Sequence, residues 1–233
     1  MNIETFIKEV EKLNITVTKE NLASLAKYKD LLIEYNKKFN LTAIKSDEEI
    51  YLKHFYDSLT LIKAYSLNGN LKLLDIGTGA GFPGIVLKIF YPDLELTLLD
   101  SNHKKIAFLE VVIKELNLKN VTCINSRAES LPESYREYFD IVTSRAVAHL
   151  RILLELSIPY LKVGGHLIAM KGLSEEEIKE SAKILEKLDS TIVDTIKFNL
   201  PIEGSNRSLV IVQKNKKTKE IYPRSYDKIM KNR

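Results

Sequence analysis

Apolar side chains first recur at helical spacing along this chain, and further on they gather into short runs. Ile3, Phe6, Ile7, Val10 and Leu13 share one stripe, which predicts a helix over residues 2–13. Thr18 suits the N-cap of a second helix reaching Phe39, with Leu22, Leu25, Ala26, Leu32 and Ile33 inward and Asn40-Leu41-Thr42 as its break. Ser46-x-x-Glu49 is a capping box opening a third helix that carries Ile50, His54, Phe55 and Leu59. These elements form a helical cap without Gly or Pro, and Asn68-Gly69-Asn70 turns out of it. From Leu71 the pattern predicts strands over 71–76, 95–100, 121–126, 139–144, 165–170, 191–198 and 207–213. Helices are expected near 83–90, 103–117, 149–160 and 174–188. Such alternation implies an α/β fold, with a mostly parallel sheet covered on both faces. Residues 200–206 leave no room for a helix between the last two strands, so these should pair as an antiparallel hairpin. The expected division is a cap over 1–68, an α/β domain over 69–214 and a tail over 215–233.

The junction between the first strand and its helix reads LLDIGTGAGFPG, residues 73–84. Gly77, Gly79 and Gly81 can take positive φ and present bare backbone to a ligand, and Pro83 fits a first helical turn. Gly79-x-Gly81-x-x-Gly84, with Asp100 downstream, satisfies a dinucleotide fingerprint. Asp75-x-Gly77-x-Gly79-x-Gly81, with Asp100 ending the second strand ELTLLD, instead resembles motifs I and II of class I S-adenosylmethionine-dependent methyltransferases. That resemblance implies a ribose held by Asp100. A seven-stranded sheet whose last strand runs antiparallel is the methyltransferase layout; a dinucleotide domain has six parallel strands.

Composition narrows the setting. The chain's 233 residues, 45% apolar, suffice for one α/β domain and an appendage. No apolar run is long enough to span a membrane, and the amino terminus lacks a signal peptide's apolar centre. The single Cys123, in VTCIN, is expected as a small buried residue in a cytoplasmic protein, with no metal site near it. The net charge of +4 is uneven: residues 214–233 hold eight basic residues against Glu220 and Asp227. A tail of that kind, with Tyr222 and Tyr226, suits either a polyanion such as nucleic acid or plain solvation.

Ligands of such sheets bind beyond the carboxyl ends of the strands. The candidates are therefore Gly77–Gly81, Asp100-Ser101, Ser126-Arg127-Ala128-Glu129, Ser144-Arg145-Ala146 and Met170-Lys171-Gly172. By position, Ala128 and Glu129 suit an adenine edge. Several stretches then carry a closer resemblance: YNKKFNLTAI (35–44), KHFYDSL (53–59), LLDIGTGAGFPGI (73–85), LLDSNHKKIAFL (98–109), NSRAE (125–129), FDIVTSRAVA (139–148), MKG (170–172) and NRSLVIVQK (206–214). Together they resemble the RsmG (GidB) family, which methylates nitrogen 7 of a guanosine in the 530 loop of 16S ribosomal RNA.

The resemblance implies S-adenosyl-L-methionine as cofactor and the small ribosomal subunit as partner. It implies cofactor contacts at Asp75, Gly77, Gly79, Phe82, Asp100, Ser101, Ala128, Glu129 and Arg145. It also implies an RNA face of Lys53, His54, Lys171 and Arg207, with no metal, no membrane and a monomer. Nitrogen 7 of guanine carries a free lone pair at neutral pH, so the reaction needs positioning rather than a base. Arg145 and Lys171 are the candidates to orient the guanine through oxygen 6, and Arg145 could instead serve the cofactor's carboxylate. His54 and Asp57 can share a helix face, and His103 and Lys104 could border the ribose. His149 is given only a capping or packing role. Since A-form major grooves exclude protein, the target belongs in a loop. A non-catalytic RNA-binding or ribosome-assembly factor, or a methyltransferase with another substrate, is the alternative.

Overall fold

Residues 1–44, 46–145 and 148–231 are described by the computed structural model. The apolar runs become seven strands: β1 (Lys72–Ile76), β2 (Glu95–Asp100), β3 (Val121–Asn125), β4 (Phe139–Arg145), β5 (Leu161–Lys171), β6 (Ser190–Asn199) and β7 (Asn206–Lys214). They form one sheet in the order β3-β2-β1-β4-β5-β7-β6. The first five are parallel, and β7 runs antiparallel to both β5 and β6. The short 200–205 connection dictates this. With no crossover helix, the chain returns directly, and β7 enters between β5 and β6.

One face of the sheet is covered by α1 (Ile3–Glu11), α2 (Lys19–Phe39), a cap helix over 47–63, α5 (Gly84–Phe90) and α6 (His103–Glu115). The cap helix is built from α3 (Asp47–Glu49), a π-helical stretch (Ile50–Tyr56), α4 (Asp57–Leu59) and a 3₁₀ turn (Thr60–Lys63). Phe6, Leu25, Tyr28, Ile50 and Phe55 of the cap share one core with Leu73, Ile85, Leu98 and Phe108. The other face packs α7 (Leu150–Ser157), α8 (Glu175–Glu180), α9 (Ala182–Lys187) and α10 (Tyr226–Lys231). Thr18 caps α2 in a reciprocal box with Asn21, and Asn40 ends that helix in the left-handed region at φ 49°.

The structure departs from the sequence pattern in several places. The stretch 174–188 is two helices divided at Ser181, and α7 yields at Ile158-Pro159-Tyr160 to a 3₁₀ turn. β5 begins at Leu161 and runs through Gly164-Gly165, with a register shift against β4. Cys123 is only half-buried, because β3 is the sheet's edge strand. Burial of its thiol still raises the pKa to about 12. The tail is docked: Tyr222 and Ile229 are buried in the second core. Among the described residues no helix is long and apolar enough to cross a membrane.

Candidate active site

The carboxyl ends of β1 and β2 lie in register, Ile76 beside Leu99. The chain leaving β1 therefore crosses Asp100 at once. Gly77 and Thr78 donate backbone N–H to Leu99 O at 2.8 and 3.1 Å, and Gly79 N donates to Asp100 Oδ2 at 3.0 Å. Asn102 N donates to Asp100 Oδ1 at 2.9 Å, which fixes the carboxylate with lone pairs to spare.

The glycines divide their labour. Gly77 and Gly79 have φ of 66° and 63°, and a Cβ on Gly79 would find no atom closer than 4.0 Å. Gly81, at φ 103°, faces packing rather than ligand: a Cβ there would lie 2.6 Å from the Tyr28 hydroxyl and 2.8 Å from Leu109. Gly84 is likewise pressed against Leu98 and Asp75. The expectation that all three turn glycines face a ligand is thus corrected for Gly81.

A cavity of about 600 Å³ opens above this loop. Of the nine residues expected to contact a cofactor, eight line it: Gly77, Gly79, Phe82, Asp100, Ser101, Ala128, Glu129 and Arg145. Asp75 does not. Its carboxylate is turned under the loop, fully buried, where Oδ2 accepts from Thr78 Oγ1 at 2.7 Å and from Gly84 N at 2.9 Å. Burial raises its pKa to about 6 against these donors. Asp75 therefore ties the loop together, and its Oδ1 has no partner. Lys105, in the first turn of α6, lines the cavity with Nζ 3.7 Å from Asp100 Oδ2; His103 and Lys104, expected there, do not line it. Thr42 and Tyr226 are further lining residues that spacing alone did not reveal. Ala146 lies outside the described residues.

A second cavity, of about 690 Å³, adjoins the first and shares His54 and Arg145 with it. All four residues expected to face RNA line this second space: Lys53, His54, Lys171 and Arg207. None is a free cation. Lys53 pairs with Glu49 and Glu203 at 2.9 and 3.2 Å, and Lys171 with Glu177 at 2.7 Å while also donating to Ala148 O. Arg207 Nε donates to Asp57 Oδ1 at 3.0 Å.

The partition between the cavities is an ordered stack. The His54 ring lies on Phe82, centroids 4.2 Å apart and planes 9° from parallel, and Phe82 lies on Tyr28 at 5.4 Å. The partly buried Arg145 guanidinium is 5.2 Å from the Phe82 centroid. It donates to Lys53 O at 2.8 Å, to His54 Nδ1 at 3.1 Å and to Asp57 Oδ2 at 3.4 Å. A guanidinium has no acceptor, so Nδ1 must carry the lone pair and Nε2 the proton. Nε2–H then donates to Thr42 Oγ1 at 3.0 Å. Burial first, and the Arg145 charge second, pull the His54 pKa down to about 3, so the ring is neutral. Burial raises the Asp57 pKa while Arg145 and Arg207 oppose it. The π-helical stretch that carries His54 ends at Tyr56 with Asp57 as its C-cap, a backbone feature often found at functional sites and invisible in the spacing. His149 occupies the N-cap position of α7 without a side-chain cap bond, pairs with Glu180 at 2.9 Å and also lines the second cavity.

The strand order, the antiparallel β7 and the glycine loop facing Asp100 define the class I S-adenosylmethionine-dependent methyltransferase fold. A methyltransferase of that kind from Aquifex aeolicus superposes with a TM-score of 0.55 over 75% of this chain and 97% of that one, at 19% identity. The chain belongs to the rRNA small subunit methyltransferase G (GidB) family, whose profile matches residues 21–208. It is 45% identical over 228 residues to ribosomal RNA small subunit methyltransferase G of Acetivibrio thermocellus, covering 97% of this chain and 94% of that protein. The protein of the same name from Desulfitobacterium hafniense is 48% identical over 217 residues, 92% and 90% of the two chains. It is accordingly an S-adenosylmethionine-dependent methyltransferase. Among the described residues no cluster of His, Cys, Asp or Glu is placed to hold a metal ion.

Proposed function

We propose that this enzyme transfers a methyl group to nitrogen 7 of a guanosine in the 530 loop of 16S ribosomal RNA. The observation that carries the reading is the pair of cavities meeting at one partition. One has an acid and a bare glycine loop; the other is lined by Lys53, Arg145, Lys171 and Arg207 with Asp57 and Glu177 among them. The first suits S-adenosylmethionine. Asp100 can accept from the ribose hydroxyls, Gly77 and Gly79 leave room for the amino-acid part, and Ser126 to Glu129 border the adenine. Ser101 and Phe82 complete that wall. When bound, the cofactor supplies an electrophilic methyl on a sulfonium.

The second cavity suits the target nucleotide. Lys53, Lys171 and Arg207 bring positive charge to its wall; RNA phosphates, whose contacts with cations dominate affinity, would have to share or displace their carboxylate partners. Arg145 and Lys171, which both line this cavity, are our candidates to donate to guanine oxygen 6 without covering nitrogen 7. No general base is required, so holding the two reactants in line is the catalytic task. A neutral His54 at the partition fits this, since it adds no charge beside an electrophilic sulfonium. Residues 1–68 serve as the substrate-side cap, 69–214 as the catalytic domain and 215–233 as a basic tail. The protein works as a monomer in the cytoplasm.

The test is methyl transfer from labelled S-adenosylmethionine to small subunits from cells lacking the gene, with the product mapped by borohydride–aniline cleavage. A single cleavage in the 530 loop is expected. Label without cleavage would discard nitrogen 7.

A further inference from the structure

The basic carboxyl-terminal segment is fastened to the domain by two arginine clamps. Arg136 donates from Nη1 to Tyr222 O at 2.7 Å and from Nη2 to Thr218 O and Lys219 O at 3.1 and 2.9 Å. Arg224 meets the buried Glu155 of α7 in a fork: Nε to Oε1 and Nη2 to Oε2, both at 2.7 Å, with its backbone N on Oε1 at 3.0 Å. Bidentate pairs of this kind fix orientation as well as position. Tyr222 and Thr218 are buried between the clamps, and Ile229 of α10 is sunk in the core beside α7.

What the clamps hold in place is Tyr226, the first residue of α10. Tyr226 lines the first cavity, as do Ser126, Arg127, Ala128, Glu129 and Leu156. The Arg127 guanidinium lies 5.5 Å from the Tyr226 ring centroid, and Arg127 also reaches Glu129 at 3.8 Å. An aromatic ring backed by a planar cation is a surface that stacks on a purine. Tyr226 comes from a segment that no strand-end argument includes, yet it reaches the same space as the residues after β3.

We propose that residues 215–231 form a roof over the adenine end of the cofactor cavity, with Tyr226 as the stacking face and Arg127 behind it. This rests on the assignment of the first cavity to S-adenosylmethionine. It gives the tail's arginine and tyrosines a role in retaining the cofactor, with Arg224 neutralised by Glu155 rather than offered to RNA.

Calorimetric titration of the full-length protein with S-adenosylhomocysteine and with adenosine tests it, alongside filter binding of a small-subunit RNA fragment. Tyr226→Ala is expected to weaken both small ligands by roughly tenfold or more, the scale of one lost base–aromatic stack. Tyr226→Phe should stay within about twofold of the parent, and RNA affinity should not change. Should Tyr226→Ala loosen the segment, as judged by its melting curve, Tyr226→Leu keeps the bulk and removes only the aromatic face. It should show the same loss. Unchanged affinity in both variants, with Asp100→Ala still losing the ligand, would overturn the roof and leave the cavity assignment standing. Failure of the parent protein to bind S-adenosylhomocysteine would overturn both. A loss in Tyr226→Phe equal to that in Tyr226→Ala would replace stacking with a hydroxyl contact and also defeat the proposal.

Discussion

At the scale of single residues, the loop glycines make opposite predictions. A Cβ on Gly79 finds no atom closer than 4.0 Å, so the cost of Gly79→Ala is the positive φ, about 1–2 kcal/mol, together with added bulk at a residue that lines the first cavity. Gly81→Ala adds a collision with Tyr28, Ile85 and Leu109. Denaturant melts should show Gly81→Ala as the more destabilised, and cofactor titration should show Gly79→Ala as the more impaired binder relative to its stability. Asp75 and His54 give pH signatures of opposite sign. The folded carboxyl of Asp75 is raised from 3.8 to about 6, so between those values the native state holds a proton that the unfolded chain has released. Stability from this group is therefore lost as pH rises through that window, by about 3 kcal/mol in total. His54 is lowered from 6.5 to about 3, so its contribution is lost as pH falls below 6.5. Comparing urea midpoints of the parent and Asp75→Asn from pH 4 to pH 7 isolates the first effect. The penalty should vanish from the variant, and parallel curves would refute it. For the second, the His54 ring proton should show no NMR titration between pH 5 and pH 8.

At the scale of elements, the cap helix is the part on which the partition depends. Its π-helical stretch and the turn after it set His54 and Asp57 against Arg145, and Asp57 also anchors Arg207 from β7. Removing one partner of a buried ion pair leaves the others uncompensated. Asp57→Ala is expected to cost about 3–5 kcal/mol. A double-mutant cycle of Asp57→Asn with Arg207→Gln should show coupling; additive losses would mean that the pair is idle. The sequence made the strands, the capped helices and most of the strand-end residues legible, because each rests on local periodicity or a local turn. It could not show the π stretch, since the apolar stripe reads the same with one extra residue in a turn. Nor could it show that Asp75 points under the loop, because a strand-terminal acid has the same signature whether it meets ligand or backbone. Lys105 and Tyr226 were hidden for another reason. One follows Asp100 by a helical turn and the other is brought by a docked tail, and neither sits just after a strand.

At the scale of the whole molecule, the cap and the sheet share a single apolar core. Tyr28 donates to Ala80 O, and Asn21 Nδ2 donates to Ile89 O at 2.9 Å, so α2 is bonded to both ends of the segment that follows β1. Unfolding should accordingly be one cooperative transition seen alike by far-ultraviolet dichroism and tyrosine fluorescence. A separate early transition of the cap would contradict the shared core. S-adenosylhomocysteine at a hundred times its dissociation constant should raise the unfolding free energy by about 2.7 kcal/mol. The shared partition has a further consequence. Arg145 and His54 belong to both cavities, so a ligand that shifts them on one side alters the surface offered on the other. Thermodynamic reciprocity then requires that whatever factor the methyl donor applies to RNA affinity, RNA applies to donor affinity. Fresh cofactor differs from spent by a methyl group and a positive charge on sulfur, so a wall that carries the Arg145 cation and a neutral His54 would feel both differences.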